Sequence, residues 1–157
     1  MKIKEISIQN FYSICDLTLN FEEYKGLIVI KGKNVDSGGS NGSGKSALIE
    51  AICFGLTGKT IRKSTEDALV NNIAKKKCKV TLSLEAGGKD IKVIRQKKPS
   101  KLQVFDGENE ITEATQALTQ QSLNNLLNTN YKVLMASMFF GQSNDINFLD
   151  CSAEDLS

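Results

Sequence analysis

The sequence predicts an α/β fold in which a mixed sheet surrounds the helix that follows a glycine-rich loop, with an antiparallel β portion attached. Three observations carry that expectation. Gly26 to Ile30 (GLIVI) is a short continuous apolar run, the pattern of a strand buried on both faces of a sheet. Gly32 to Gly44 is rich in glycine, serine and asparagine, reads as loop, and leads directly into a helix-compatible segment. Lys79 to Leu84 alternates polar and apolar residues and meets Gly87-Gly88, the signal of a β-hairpin.

Taken in order, residues 2–11 and 14–21 read as two strands, the second alternating Cys15, Leu17, Leu19 and Phe21. After GLIVI and the glycine loop, Ser46 to Leu56 (SALIEAICFGL) predicts a helix that stops at Gly58, a glycine placed to take the left-handed turn after a C-terminus. The alternation Val80, Leu82, Leu84 predicts a strand, and Asp90 to Arg95 its return partner. Leu102 to Phe105 with Asp106-Gly107 predicts a further strand and turn. Thr112 to Leu127 predicts a helix through Ala117, Leu118, Leu123, Leu126 and Leu127. Tyr131 to Met135 predicts a short helix, running into a strand at Met138-Phe139-Phe140. Ser152-Ala153-Glu154-Asp155 has the form of a helix start, with Ser152 as N-cap and acids in the first turn. Only two residues follow, which points to a truncated chain or one half of a split protein.

Composition narrows the chemistry. The 157 residues include 20 Lys+Arg, 18 Asp+Glu and no histidine. That length suits one domain, 1–157, with an ordinary hydrophobic core. The missing imidazole excludes Ser-His-Asp and Cys-His catalysis, histidine-ligated metals and a histidine pH switch. Cys15, Cys53, Cys78 and Cys151 form no C-x-x-C pair and read as small buried hydrophobes rather than disulfide partners. MKIKEISIQN lacks the apolar core of a signal peptide, and no apolar run approaches the ~20 residues of a bilayer span. The expectation is a cytoplasmic protein that contacts no membrane.

Net charge is +2, but it is unevenly spread. Residues 75–101 hold ten basic side chains against Glu85 and Asp90, a local +8 that leaves −6 on the rest. Lys75, Lys76, Lys77, Lys97, Lys98 and Lys101 are the candidate contacts to a polyanion such as a DNA backbone, which needs only clustered Lys/Arg. No aromatic residue interleaves the segment 75–101, which argues against stacking on single strands. The alternative is a solvated hairpin face.

The most specific signal is Gly39-Ser40-Asn41-Gly42-Ser43-Gly44-Lys45-Ser46, which fits G-x-x-x-x-G-K-[ST]. Glycines let backbone N–H groups turn inward as a nest around phosphate oxygens, and the helix N-terminus adds its dipole and further donors. Lys45 would supply a point charge to the β/γ-phosphates, and the Ser46 hydroxyl would ligate magnesium.

With that loop placed, the chain resembles the N-terminal half of the ATPase subunit of SbcCD-type nuclease complexes, bacterial and phage relatives of the MRN complex. Ile8-Gln9-Asn10-Phe11-Tyr12-Ser13-Ile14 is similar to the family's opening I-x-N-F-x-S-I, and Asn41 to Ser46 is the N-G-S-G-K-S form of SMC-like ATPases. Glu50 to Lys59 resembles D/E-A-I-x-F-x-L-x-G-K, Glu66 to Asn71 echoes a D-x-V-N segment, and Phe139-Phe140-Gly141-Gln142 matches the strand leading to a Q-loop glutamine. Phage recombination endonuclease subunits are the nearest in character. The resemblance implies an ABC-type ATPase head, N-terminal lobe, using ATP and Mg2+. It implies nucleotide contacts from Ser13, Gly39, Asn41, Gly42, Ser43, Gly44, Lys45, Ser46 and Ala47. It implies catalytic roles for Lys45 and Gln142, and magnesium held by Ser46 and Gln142. Implied partners are the C-terminal half of the same head, a second head, an SbcD-like nuclease and DNA.

Three departures stand out. Tyr12 occupies a position where many relatives carry a basic residue that touches nucleotide. Ala47 replaces a second hydroxyl residue, and about seven residues, roughly Lys31 to Gly38, lengthen the loop. The coiled coil, signature motif and Walker B acids of the family would lie beyond Ser157, so this chain alone is expected to hydrolyse ATP negligibly. Lys59, Arg62 and Lys63 are either a nucleotide or DNA rim or a solvated loop. Two rival functions remain: an SMC- or RecF-like DNA clamp without a nuclease partner, and a small P-loop kinase.

Overall fold

A computed structural model describes residues 1–33, 44–62, 64–71, 73 and 77–137. Six strands form one sheet in the order β2-β1-β3-β4-β5-β6: β1 (Lys2–Phe11), β2 (Ile14–Asn20), β3 (Cys78–Ala86), β4 (Lys89–Lys97), β5 (Lys101–Asp106) and β6 (Asn109–Glu110). Every adjacent pair is antiparallel. Alternation along the strands explains why one face is covered and the other open. In β3, Cys78, Val80, Leu82 and Leu84 turn inward while Lys79, Thr81, Ser83 and Glu85 turn outward. Ile6 and Ile8 of β1, Ile91 and Val93 of β4, and Leu102 and Val104 of β5 continue the same apolar layer. One covered face and one wet face is the habit of antiparallel sheets. Gly87 and Gly88, both at positive φ, close the two-residue turn that sets Ala86 opposite Lys89.

Helix α1 (Lys45–Thr57) lies on the apolar face with Leu48, Ala51, Phe54 and Leu56 buried. Its close seat depends on Gly55, where a methyl group would come within 2.5 Å of Leu82 Cδ1. It ends as expected at Gly58, φ 74, whose N–H donates to Phe54 O at 2.8 Å. A short helix, α2 (Glu66–Leu69), which the sequence did not announce, leads to Val70, bridged to Phe11. Helix α3 (Gln116–Leu127) covers β5, and α4 (Tyr131–Ser137) follows.

Four expectations need correction. Gly26–Ile30 is not a buried strand: among the described residues no β-pairing involves it, and Leu27 and Val29 are 91% and 67% exposed. A strand buried on both faces needs packed layers above and below it, and among the described residues none covers this segment. The sheet of the described residues is therefore antiparallel throughout rather than mixed. The helix predicted from Thr112 begins later because Thr112 Oγ1 accepts Val104 N, holding that residue against β5. Thr115 then caps α3 by accepting Leu118 N at 3.2 Å. Cys53 and Cys78 are buried as expected, but Cys15, next to the buried Ile14 in β2, is exposed. The predicted strand at 138–140, Gln142, Cys151 and the helix start at Ser152 lie outside the described residues.

Candidate functional site

The site is built where the glycine loop ends. Gly44 takes φ 84, a left-handed conformation that a side chain would strain, and the first helical bond runs from Leu48 N to Gly44 O at 3.1 Å. The amides of Ser46 and Ala47 therefore lie at the open end of α1, where the helix dipole favours an anion. Ser46 is exposed there, Lys45 is half-buried, and Ala47 is packed beneath them with 8% exposure. The β1–β2 turn closes one side. A methyl group built on Gly44 would stand 3.7 Å from the Ser13 hydroxyl and 3.7 Å from Ile14 Cγ1. Ser13, Gly44, Lys45, Ser46 and Ala47 thus gather at one end of α1. Gly39, Asn41, Gly42, Ser43 and Gln142 lie outside the described residues. Among the described residues no three His, Cys, Asp or Glu side chains group as a metal site.

A second arrangement was only partly visible in the sequence. Glu50, one turn into α1, is 3% exposed, and its carboxylate accepts Ile61 N at 2.7 Å while Arg62 Nε approaches at 3.4 Å. Burial pushes its pKa up, outweighing the Ile61 and Arg62 amides and the Arg62 charge that pull the other way. Glu50 thereby ties α1 to the loop after it. That loop is also held by Tyr131, whose hydroxyl donates to Thr60 O at 3.3 Å and whose ring lies 5.0 Å from Lys59 Nζ. Tyr12, φ 49, donates its hydroxyl to Ser64 Oγ at 2.7 Å and accepts Asn71 Nδ2 on its carbonyl at 2.7 Å. Its side chain therefore braces the same loop. An acid inside an otherwise apolar helix was the signal for Glu50; Tyr12 gave none beyond its departure from the family pattern.

The basic segment divides. Lys77, Lys97, Lys98 and Lys101 meet at one end of the hairpin, with Lys97 opposite Cys78 and Lys77 N donating to Lys98 O at 3.2 Å. Asn10 Nδ2 reaches Lys77 O at 3.5 Å, so this is the end of the sheet at which the β1–β2 turn stands. Lys75 and Lys76 lie outside the described residues. Lys89 instead pairs with Asp106 near the opposite end, at 2.5 Å. Arg95 does not join the surface at all. It points inward from β4 with 7% exposure, and burial lowers its pKa to about 10.

Comparison with known proteins gives the family of the chain. The profile of a family described as "AAA domain" matches residues 5–156. A DNA double-strand break repair Rad50 ATPase of Sulfurisphaera tokodaii is 32% identical over 151 residues, covering 90% of this chain and 16% of that protein. The Rad50 ATPase of Methanocaldococcus jannaschii is 34% identical over 96 residues, 61% of this chain and 8% of that protein. Exonuclease subunit 2 of Enterobacteria phage T4 is 32% identical over 96 residues, 55% of this chain and 17% of that protein. The chain thus spans well under a fifth of the length of these relatives. No helix among the described residues is long and apolar enough to cross a membrane. Matched over nearly its whole length, the chain belongs to the AAA-domain family of P-loop ATPases, and within it to the Rad50/SbcC type.

Proposed function

We propose that the chain is the ATP-binding lobe of an ABC-type ATPase head. Residues 39–46 would wrap the phosphates of Mg·ATP, Lys45 would neutralise the β/γ-phosphates, and the Ser46 hydroxyl would face the magnesium ion. The observation that carries this is Gly44: as the second glycine that G-x-x-x-x-G-K-[ST] specifies, its left-handed backbone opens α1, so that Lys45 and Ser46 form the first turn, with Ser13 beside it. Ser13, Ala47 and the loop glycines would position the nucleotide, and Gln142 would reach the metal and the attacking water. Magnesium supplies charge neutralisation of the phosphates when bound.

Joined to its C-terminal half, the head would dimerise around nucleotide and control an SbcD-like nuclease on DNA ends in recombination and repair, in the cytoplasm of the cell or phage host. The lysines at the end of the hairpin would follow the DNA backbone. The phage T4 relative named as an exonuclease subunit favours a nuclease partner over a free-standing clamp, and co-purification of a metallophosphoesterase with the full complex tests that choice.

For the nucleotide itself the test is Lys45→Ala. Losing a charge-assisted contact of roughly 1.5–3 kcal/mol lowers Mg·ATP affinity about 10- to 150-fold in calorimetric titration. Equal affinity of the two proteins removes the assignment.

A further inference from the structure

Arg95 is a buried cation that the nucleotide site does not use. Its Nε donates to Gly55 O at 3.2 Å, its NH2 donates to Gln120 Oε1, and its guanidinium carbon lies 5.8 Å from the centre of the Phe54 ring. Gln120, from α3, turns its own amide to Leu56 O at 3.0 Å. The carbonyls of a last helical turn have no partner within the helix. Here an arginine from the sheet and a glutamine from α3 take two of them. A positive group at this end also opposes the negative pole of the helix dipole. Gly58 is part of the fit, since a methyl group there would stand 3.0 Å from an Arg95 terminal nitrogen.

Position gives this clamp its reach. Arg95 stands on β4 between Val80 of β3 and Leu102 of β5, two residues before Lys97 and beside the strand that begins at Lys101. The same guanidinium holds the C-terminal end of the 13-residue helix whose other end carries Lys45 and Ser46. A helix of that length is a rigid rod of about 20 Å. The hairpin that carries the lysine cluster is thus tied to the rod that presents the phosphate loop by this side chain as well as by the packing of Gly55 on Leu82 and Val80.

We propose that Arg95 is a positioning residue that sets the seat of α1 on the hairpin, so that polyanion binding at Lys97, Lys98 and Lys101 and nucleotide binding at Lys45 are energetically coupled. The inference rests on the reading of those two sites given above. Arg95 touches neither ligand. It acts by transmitting a shift of β4 to Gly55 and so along the helix axis, with Gln120 as the second arm.

The test compares Mg·ATP affinity with and without a saturating 30-base-pair duplex, for the full chain and for Arg95→Lys, Arg95→Met and Gln120→Ala. The unmodified protein should show a fivefold or larger difference between the two conditions, the lower end of ordinary coupling. Arg95→Met and Gln120→Ala should bring that ratio to within twofold of one while each protein still binds duplex and unfolds cooperatively. Arg95→Lys, which keeps the charge and one donor direction, should restore part of it. A purely structural arginine would weaken binding of both ligands and leave the ratio unchanged, and that result overturns the proposal. Should Arg95→Met fail to fold, Gln120→Ala decides alone, because its side chain is only partly buried. A ratio of one in the unmodified protein, with both ligands bound, refutes the coupling and spares the site assignments. Failure to bind duplex also refutes the coupling but leaves the nucleotide site standing. Failure to bind nucleotide refutes the nucleotide site itself, and the coupling with it.

Discussion

Gly55→Ala probes how closely α1 must approach the sheet. The added methyl would lie 2.5 Å from Leu82 Cδ1, 3.1 Å from Leu82 Cγ and 3.2 Å from Val80 Cγ1. Carbon atoms in contact prefer about 3.5–4.0 Å, so the helix or Leu82 must move by about 1 Å. Leu82 and Val80 are both fully buried, which leaves no free volume to move into. Overpacking of this kind costs about 1–3 kcal/mol, against which alanine gains up to about 1 kcal/mol of helix propensity over glycine. The net expectation is a loss of about 0.5–2 kcal/mol. In urea, with a slope of about 1–3 kcal/mol/M, the midpoint falls by about 0.2–2 M at unchanged slope. Leu82→Ala separates this cause from others. Paired with Gly55→Ala it removes the collision, so the double variant should be more stable than the two single losses predict, by at least about 1 kcal/mol. Gly55→Ala as stable as the parent, or losses that add within about 0.5 kcal/mol, would refute the reasoning.

Two further outcomes follow from the same geometry. Glu50 has its folded pKa raised above the ordinary carboxylate value of 4.5, so the folded state holds that proton more tightly than the unfolded chain does. Its contribution is fullest below 4.5 and is lost as pH rises through the folded value; urea titrations of Glu50→Gln should lack this decline, and parallel pH profiles would contradict it. If Lys77, Lys97, Lys98 and Lys101 each neutralise one phosphate, log affinity for duplex DNA should fall with log salt at a slope of about −4. Changing Lys97, Lys98 and Lys101 to Glu should flatten the slope for unrelated sequences alike, and an unaltered slope in fluorescence anisotropy would reduce the cluster to a solvated face.

What the sequence made legible was what neighbours in the chain decide. The alternation of Val80, Leu82 and Leu84, the Gly87-Gly88 turn and the Gly58 stop are local, and each lies where its pattern put it. The start of α3 was misplaced by four residues because helix propensity at Thr112 lost to a hydrogen bond with β5, a partner eight residues away. Arg95 shows the same limit in the site. In the sequence it is one of ten basic residues between 75 and 101, with nothing to mark it off from Lys92 or Lys97. The pleat decides: counting by two from Ile91 and Val93 puts residue 95 on the apolar face, so alternation held the clue and the charge count hid it.

GLIVI makes the opposite point. Its composition describes the environment that five apolar residues suit, with neighbours at both edges and cover on both faces, and not the environment these residues have. Removing the exposed side chains of Leu27, Ile28, Val29 and Ile30 from water would be worth roughly 1.5–3 kcal/mol for each one fully buried. The described sheet offers β1 no vacant edge to receive that strand, since β2 and β3 flank it. The mixed sheet predicted from the sequence therefore requires a strand pairing that the described residues do not make. Ser13 and Ile14 of the β1–β2 turn stand beside Gly44 without it, and Glu50 fixes α1 to the loop that follows.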